Sequence, residues 1–297
     1  MGTERNWDRA FVSDHKGGAA TRDRAWGTWR ALEKLATEKK WKLDPSNITP
    51  KQMRIYLAHR VTEISPRAVQ LEASHLRRAI AGAGRELGDV RDPKNAWSSS
   101  RMGVPSGSRL GLKAAANPAK YESARERMPE DVKAASGLTD AIGLRRKEAI
   151  MAGPSLRGWA RELAKPEAKE RGTYLNVVDG SKGGRPRWTF IRPDRVQEVL
   201  KAVAVASKIF LATGKIIQSE DLKSAISRYS NCLYRLGLTG DDSGHGLRRQ
   251  FAQMQYGYYR DTGLTESEAL KRLSSDLGHG DGRGRWVWNN YLAGGAG

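Results

Sequence analysis

A single cysteine, Cys232, occurs in the 297 residues. That excludes an intramolecular disulfide and any cysteine-based zinc site, and the apolar-rich stretch around Cys232 predicts a buried structural thiol. Nowhere do eighteen apolar residues run consecutively, so no transmembrane helix is expected. Met1–Asp14 is polar and lacks the apolar run of a secretion signal, which predicts a soluble cytoplasmic protein. Acidic residues are also scarce: 33 Asp and Glu stand against 52 Lys and Arg, a formal net charge of +19. The excess is +7 over residues 1–100 and +12 over residues 101–297, so it is not the property of a tail. No basic amphipathic segment stands out, which disfavours an anionic membrane as the partner. An extended surface contacting DNA or RNA fits the charge best. What is present includes 38% hydrophobic residues and nine Trp, enough for a core within one large domain or two ordinary ones.

Apolar periodicity points to helices nearly throughout. Trp26, Trp29, Leu32 and Leu35 recur at three-residue intervals along one helix side. Thr49, Pro50 and Gln52 form a capping-box start, followed by Met53, Leu57 and Val61 on an apolar face. Ser65 and Pro66 repeat the start signal before a stripe of Val69, Leu76, Ile80 and Leu87. Residues 1–95 therefore read as a helical domain. Ser, Gly and Pro gather after Gly88, and 96–115 reads as a linker to a second domain over 116–297. There a helical stretch is expected from about Pro129 to Ala152. Two β-rich runs, 174–178 and 188–191, flank the Gly-rich Asp179–Gly184 and predict a hairpin. Helices are expected over 194–213, 219–236, 245–260 and 265–277, the last opened by Thr265 and Glu268 as a capping box.

The chemistry-bearing residues are individually weak signals. His-x-x-Arg occurs twice, as His75 to Arg78 and as His245 to Arg248. The first lies among helical stripe residues and reads as a solvated helix face. The second follows Asp241-Asp-Ser-Gly244, which places His245 near a helix N-terminus, where unpaired N–H groups and the dipole favour phosphate. Arg145 and Glu148 could simply pair at i,i+3 on a basic helix start. Lys182 in Gly-Ser-Lys-Gly-Gly lacks the Gly-Lys-Ser/Thr order and leads into a β run, so it is no nucleotide-binding loop. His279 after Leu277-Gly278 has the bland reading of a helix-capping side chain. Tyr291 competes with Tyr256, Tyr258 and Tyr259 as a nucleophile by composition.

Order along the chain carries what single motifs do not. With Gly143-Leu-Arg145-x-x-Glu148, Lys182 between β runs, His245-x-Leu-Arg248, Leu277-Gly-His279 and a closing Tyr291, the sequence resembles the tyrosine recombinases, or phage-type integrases. The resemblance spans roughly 130–292, with the N-terminal helices more loosely similar to the family's core-binding domain. It implies a mainly α fold with a small antiparallel sheet and a DNA clamp formed by both domains. It further implies strand exchange by a homotetramer on two double-stranded DNA sites, with accessory DNA-bending proteins as possible partners and a nucleoid-associated, bacterial or phage-derived setting. Tyr291 would attack a scissile phosphate, leaving a 3′-phosphotyrosyl link and a free 5′-hydroxyl, so that rejoining needs no ATP. Arg145 and Arg248 would clamp the non-bridging oxygens, with His279 donating beside them. Lys182 would protonate the leaving oxygen and His245 would assist proton transfer at the tyrosine. Glu148 would orient a basic residue, and neither metal nor cofactor is called for. Arg77, Arg78, Arg146, Arg185, Arg187 and Arg249 are expected DNA contacts.

Two intervals depart from the family pattern. Arg248 to His279 spans 31 residues, which predicts an insertion around Tyr256–Leu264, and His279 to Tyr291 spans 12 through Gly280, Gly282 and Gly284. The tail Leu292–Gly297 cannot build the C-terminal helix that many relatives dock onto a neighbour. Two other classes share the inventory. A type IB topoisomerase would relax any supercoiled plasmid, and a non-catalytic DNA-binding protein would bind without forming an adduct.

Overall fold

The computed structural model describes residues 6–10, 19–106, 114–280 and 282–293, without the side chains of Ala19, Ala20 and Lys182. The chain divides into two compact units, Met1–Ser108 and Arg109–Gly297.

In the first unit, α1 (Ala19–Glu38), α2 (Pro50–Val61) and α3 (Pro66–Gly82) surround one apolar core. The predicted starts are present: the Thr49 side chain accepts from the Gln52 N–H while Gln52 accepts from the Thr49 N–H at 2.8 Å, and Ser65 caps α3. Trp29, Leu32, Leu35, Met53, Leu57, Val69, Leu76 and Ile80 are buried, whereas Val61 ends its helix largely exposed. Trp7 stacks on Trp29 with ring centroids 4.4 Å apart. His75 is not on a solvated face. It is buried, with Nδ1 2.9 Å from Thr28 Oγ1, because α1 covers that side of α3. The stretch read as linker is partly core: Trp97 and Met102 pack into this unit, and Arg77 Nε donates to the Trp97 carbonyl at 2.8 Å. Its run of Ser98, Ser99 and Ser100, entered from Asn95, marks turns that fold back over α3 rather than a spacer.

The second unit is built around α5 (Glu130–Ile142) and α9 (Val196–Thr213). Packed with them are α4 (Pro118–Glu126), α6 (Arg146–Met151), α7 (Leu156–Leu163), α8 (Pro166–Arg171) and α10 (Leu222–Arg235). Strands β1 (Thr173–Val177) and β2 (Arg187–Ile191) pair antiparallel, with Thr173 opposite Ile191 and Val177 opposite Arg187. One hairpin face is buried (Leu175, Val177, Thr189, Ile191), while Tyr174 and Trp188 on the other are exposed. Then come α11 (Gly244–Asp261), α12 (Glu266–Asp276), α13 (Gly284–Val287) and a π-helical turn, Trp288–Leu292. Capped as expected by Thr265 and Glu268, α12 follows a turn at 262–264. The length between Arg248 and His279 is thus taken up by a long α11, not by a separate insertion. The mainly α fold with one small antiparallel sheet is the class the sequence indicated.

One helix was expected over 129–152 and two are found. Gly143, at φ 67°, ends α5 in a left-handed cap, and a Cβ there would meet the Phe251 ring at 2.3 Å. Cys232 is half-buried against the core rather than enclosed. Gly246 lies inside α11, where alanine normally gains about 0.5–1 kcal/mol. A Cβ there would stand 1.6 Å from the Asp241 carbonyl oxygen, which is backbone and cannot swing aside. Gly246→Ala is therefore expected to lower stability by about 1–3 kcal/mol, measured by urea unfolding, despite its better helix propensity.

Candidate active site

Three elements of the second unit converge on one carboxylate. Glu148 sits at the third position of α6, is fully buried, and accepts through Oε2 from the Arg145 backbone N–H at 2.7 Å. Its Oε1 lies 2.6 Å from Arg145 Nη1 and 2.6 Å from Arg187 Nη1, and its Oε2 lies 3.8 Å from Arg248 Nη1. Burial works against ionisation, yet the fields of Arg187, Arg248 and Arg145 prevail and hold the carboxyl at about 2. Glu148 is therefore the shared anion of an arginine cluster.

The arginines are fixed by backbone carbonyls as well. Arg248, fully buried in the first turns of α11, donates from Nη1 to the Gly143 carbonyl and from Nη2 to the Leu277 carbonyl at 2.5 Å. Arg145 Nη2 reaches the same Leu277 carbonyl at 2.9 Å. The left-handed turn at Gly278, φ 64°, leaves this carbonyl facing both guanidiniums. A Cβ at Gly278 would lie 2.6 Å from Arg187 Cδ, so the turn also needs glycine for space.

Tyr291 is brought to this cluster by the π-helical turn, in which Ala293 N–H bonds the Trp288 carbonyl at 3.0 Å. Arg248 Nε donates to Tyr291 Oη at 3.2 Å, and His279 Nε2 lies 3.2 Å from the same oxygen. The Trp286 ring sits against both, its centroid 4.2 Å from that of His279 and 5.9 Å from that of Tyr291. Burial first, then Arg248, Arg145 and Arg187, push the His279 imidazole down to about 3, so the ring is neutral at physiological pH. The unfolded ring, with an ordinary value near 6.5, takes up its proton first on acidification. The stability that neutral His279 contributes is thus complete above about pH 6.5 and declines as pH falls toward 3. His279→Gln should remove that component, read as a shallower loss of unfolding free energy between pH 6.5 and 4.5 than in the wild type.

His245 occupies the first turn of α11 as the sequence indicated, exposed, with its ring centroid 5.6 Å from that of Tyr291. It lines an open cleft of about 410 Å³ with Arg145, Arg146, Ser243, Gly244 and Arg248. Lys182 starts a 3-10 turn between the two strands, and its side chain lies outside the described part. Tyr256 packs edge-on against Trp288, the Arg192 guanidinium lies over the Tyr258 ring, and Tyr259 donates to Asp276 Oδ2 at 2.6 Å. Of the rival tyrosines, none shares Tyr291's position.

The expected DNA contacts divide. Arg146 and Arg185 are exposed and Arg78 is half-buried. Arg77 is half-buried and engaged with Trp97 and Ser99. Arg249 is 2% exposed, bonded to the Ala114 carbonyl and to Asp241 at 3.1 Å, so it ties α11 to the chain entering the unit. Arg187 is 6% exposed within the arginine cluster. Neither Arg187 nor Arg249 is a surface contact. Strand alternation carried the signal for Arg187, since it shares a face with the buried Thr189 and Ile191. Asp276, which no motif marked, accepts from the Phe190 N–H at 3.0 Å, while its carbonyl accepts from Arg187 Nε and Thr189 Oγ1. Trp286 was likewise missed. Among the described residues, no group of three or more His, Cys, Asp or Glu is placed to hold a metal ion.

No curated protein matches the chain. The fold is similar to that of the XerH site-specific recombinase, solved in a post-cleavage complex with a palindromic difH substrate, at a TM-score of 0.50 and 13% identity. That likeness covers 84% of this chain and 71% of the other. A weaker likeness is to the XerA recombinase, at a TM-score of 0.37 and 12% identity over 97% and 93% of the two chains. Residues 103–254 match the family model described as Integrase, a span that contains Arg145, Glu148, Lys182, His245 and Arg248. His279 and Tyr291 lie beyond that span, and the fold returns them to the same arginines: the chain belongs to the integrase family of tyrosine recombinases.

Proposed function

We propose that this protein is a site-specific DNA recombinase that cleaves and rejoins strands through a 3′-phosphotyrosyl intermediate formed at Tyr291. One observation carries the reading: Arg248 Nε and His279 Nε2 both lie 3.2 Å from Tyr291 Oη. A nucleophile is thereby held beside a fixed guanidinium and a neutral imidazole. Arg248 and Arg145 are tethered through a shared carbonyl and a shared carboxylate, so little reorganisation accompanies charge development on the non-bridging phosphate oxygens. Neutral His279 donates a further hydrogen bond without adding charge. Exposed His245, its ring centroid 5.6 Å from that of Tyr291, takes the phenolic proton, and Lys182 protonates the departing 5′-oxygen. The covalent link conserves phosphodiester energy, so neither ATP nor a metal is needed for rejoining.

In this reading, Arg146 and Arg185 contact phosphates and the first unit serves as the core-binding domain on duplex DNA. Strand exchange takes place in a homotetramer on two sites, with accessory DNA-bending proteins where the element requires them. The test is to trap protein-linked DNA from a random duplex library carrying nicks, and to sequence the attached ends. Recovery of one sequence class joined through a 3′-phosphate supports the recombinase. Adducts on unrelated sequences, with relaxation of any supercoiled plasmid, favour a type IB topoisomerase. Binding without any adduct favours a non-catalytic DNA-binding protein.

A further inference from the structure

Arg187 stands outside the roles assigned above, and its surroundings are unusual for a structural residue. It lies on the inward face of β2, with its side chain 4% exposed. Nε donates to the Asp276 carbonyl at 2.8 Å, and Nη1 is 2.6 Å from Glu148 Oε1, the same oxygen that Arg145 Nη1 approaches at 2.6 Å. Nη2 is buried and finds no acceptor among the described residues. A buried guanidinium N–H without an acceptor carries a desolvation cost that a stability-driven design would avoid. A structural ion pair is also neutral, whereas three guanidiniums here meet the single carboxylate of Glu148. Asp276 does not restore balance, because its side chain is turned to Tyr259 and the Phe190 N–H, and burial raises it to about 7.

We infer that Arg187 is a positioning residue, a brace that joins β2, the Glu148 carboxylate and the turn after α12, and so pre-sets Arg145, Arg248 and His279 for a pentacoordinate phosphoryl group. Its two reaches do different work. Through Nη1 it fixes the carboxylate oxygen on which Arg145 rests. Through Nε it fixes the residue preceding Leu277, whose carbonyl holds Arg145 and Arg248, and which lies two residues before His279. A displacement of about 1 Å among such groups costs on the order of a hundredfold in rate. Lysine cannot reproduce the brace: one ammonium cannot span the Glu148 and Asp276 acceptors as a planar fork does.

This inference rests on the recombinase reading for its rate prediction but not for its binding prediction. Arg187→Lys and Arg187→Met are compared with wild type in three measurements: orthovanadate affinity by calorimetry, duplex affinity, and single-turnover adduct formation on a nicked site at saturating DNA. The brace predicts that orthovanadate binding weakens about tenfold or more in Arg187→Lys and further in Arg187→Met. Adduct formation should slow about a hundredfold while duplex affinity stays at the wild-type value. Wild-type orthovanadate affinity in Arg187→Lys, or no orthovanadate binding by the wild type, overturns the inference. A loss of duplex affinity matching the loss of rate also overturns it, since it makes Arg187 a DNA contact. Should the wild type form no adduct, the recombinase reading fails while the orthovanadate comparison still decides the brace. Should Arg187→Met not fold, Arg187→Lys, which keeps the buried charge, decides alone.

Discussion

Tyr291→Phe is expected to form no covalent DNA adduct on a nicked or suicide duplex in EDTA, where the wild type accumulates one visible on a denaturing gel. The substitution removes only the oxygen at which Arg248 Nε and His279 Nε2 meet; ring packing against Trp286 and His279 is retained. Folding and duplex affinity should therefore be unchanged, and the loss of chemistry should be complete because the remaining ring has no nucleophile. Tyr256, Tyr258 and Tyr259 are otherwise engaged: Tyr256 packs edge-on against Trp288, Tyr258 against Phe190, and Tyr259 donates to Asp276. An adduct that persists in Tyr291→Phe refutes the assignment of the nucleophile. Assay in EDTA adds a second discrimination: an activity that vanishes in wild type on chelation requires a metal that the arginine cluster was taken to make unnecessary.

The second large effect is expected at Arg248. Arg248→Ala removes a guanidinium that touches the nucleophile, two backbone carbonyls and the field of Glu148. Loss of one such transition-state donor costs on the order of 2–4 kcal/mol, read as a drop of about thirty- to a thousandfold in single-turnover cleavage. Stability should fall too, because the Gly143 and Leu277 carbonyls and a buried carboxylate lose a partner. Arg145→Ala separates these effects: Arg145 is partly exposed, so the same order of rate loss should come with a smaller loss of stability. Equal cleavage rates in Arg145→Ala and wild type would remove Arg145 from the phosphate clamp. Duplex affinity should survive in both variants, since the charge of +19 provides many other phosphate contacts.

Local rules made most of the fold legible. Thr49, Ser65 and Thr265 cap helices where their side chains predicted, and the hairpin lies within one residue of the two β-rich runs. The short helices α4, α7 and α8 were not foreseen, because segments of six to nine residues offer too few turns for an apolar stripe to repeat. Chain order located Arg145, His245, Arg248, His279 and Tyr291, and the fold brings all five to one place. Burial was the quantity the sequence concealed. Arg187 and Arg249 look like any other basic residue in a strongly basic chain, and only tertiary contacts distinguish a guanidinium serving a carboxylate from one facing DNA. His75 misled for the same reason, since its partner Thr28 lies 47 residues away.

The π-helical turn at Trp288–Leu292 leaves Tyr291 only 2% exposed, edge-on to Trp286 and within hydrogen-bond reach of Arg248 and His279. In the recombinase reading, the nucleophile is therefore carried under cover in the protein without DNA. On that reading a seated duplex has to draw the short π-helical turn outward before Tyr291 can cut, which would tie strand breakage to recognition.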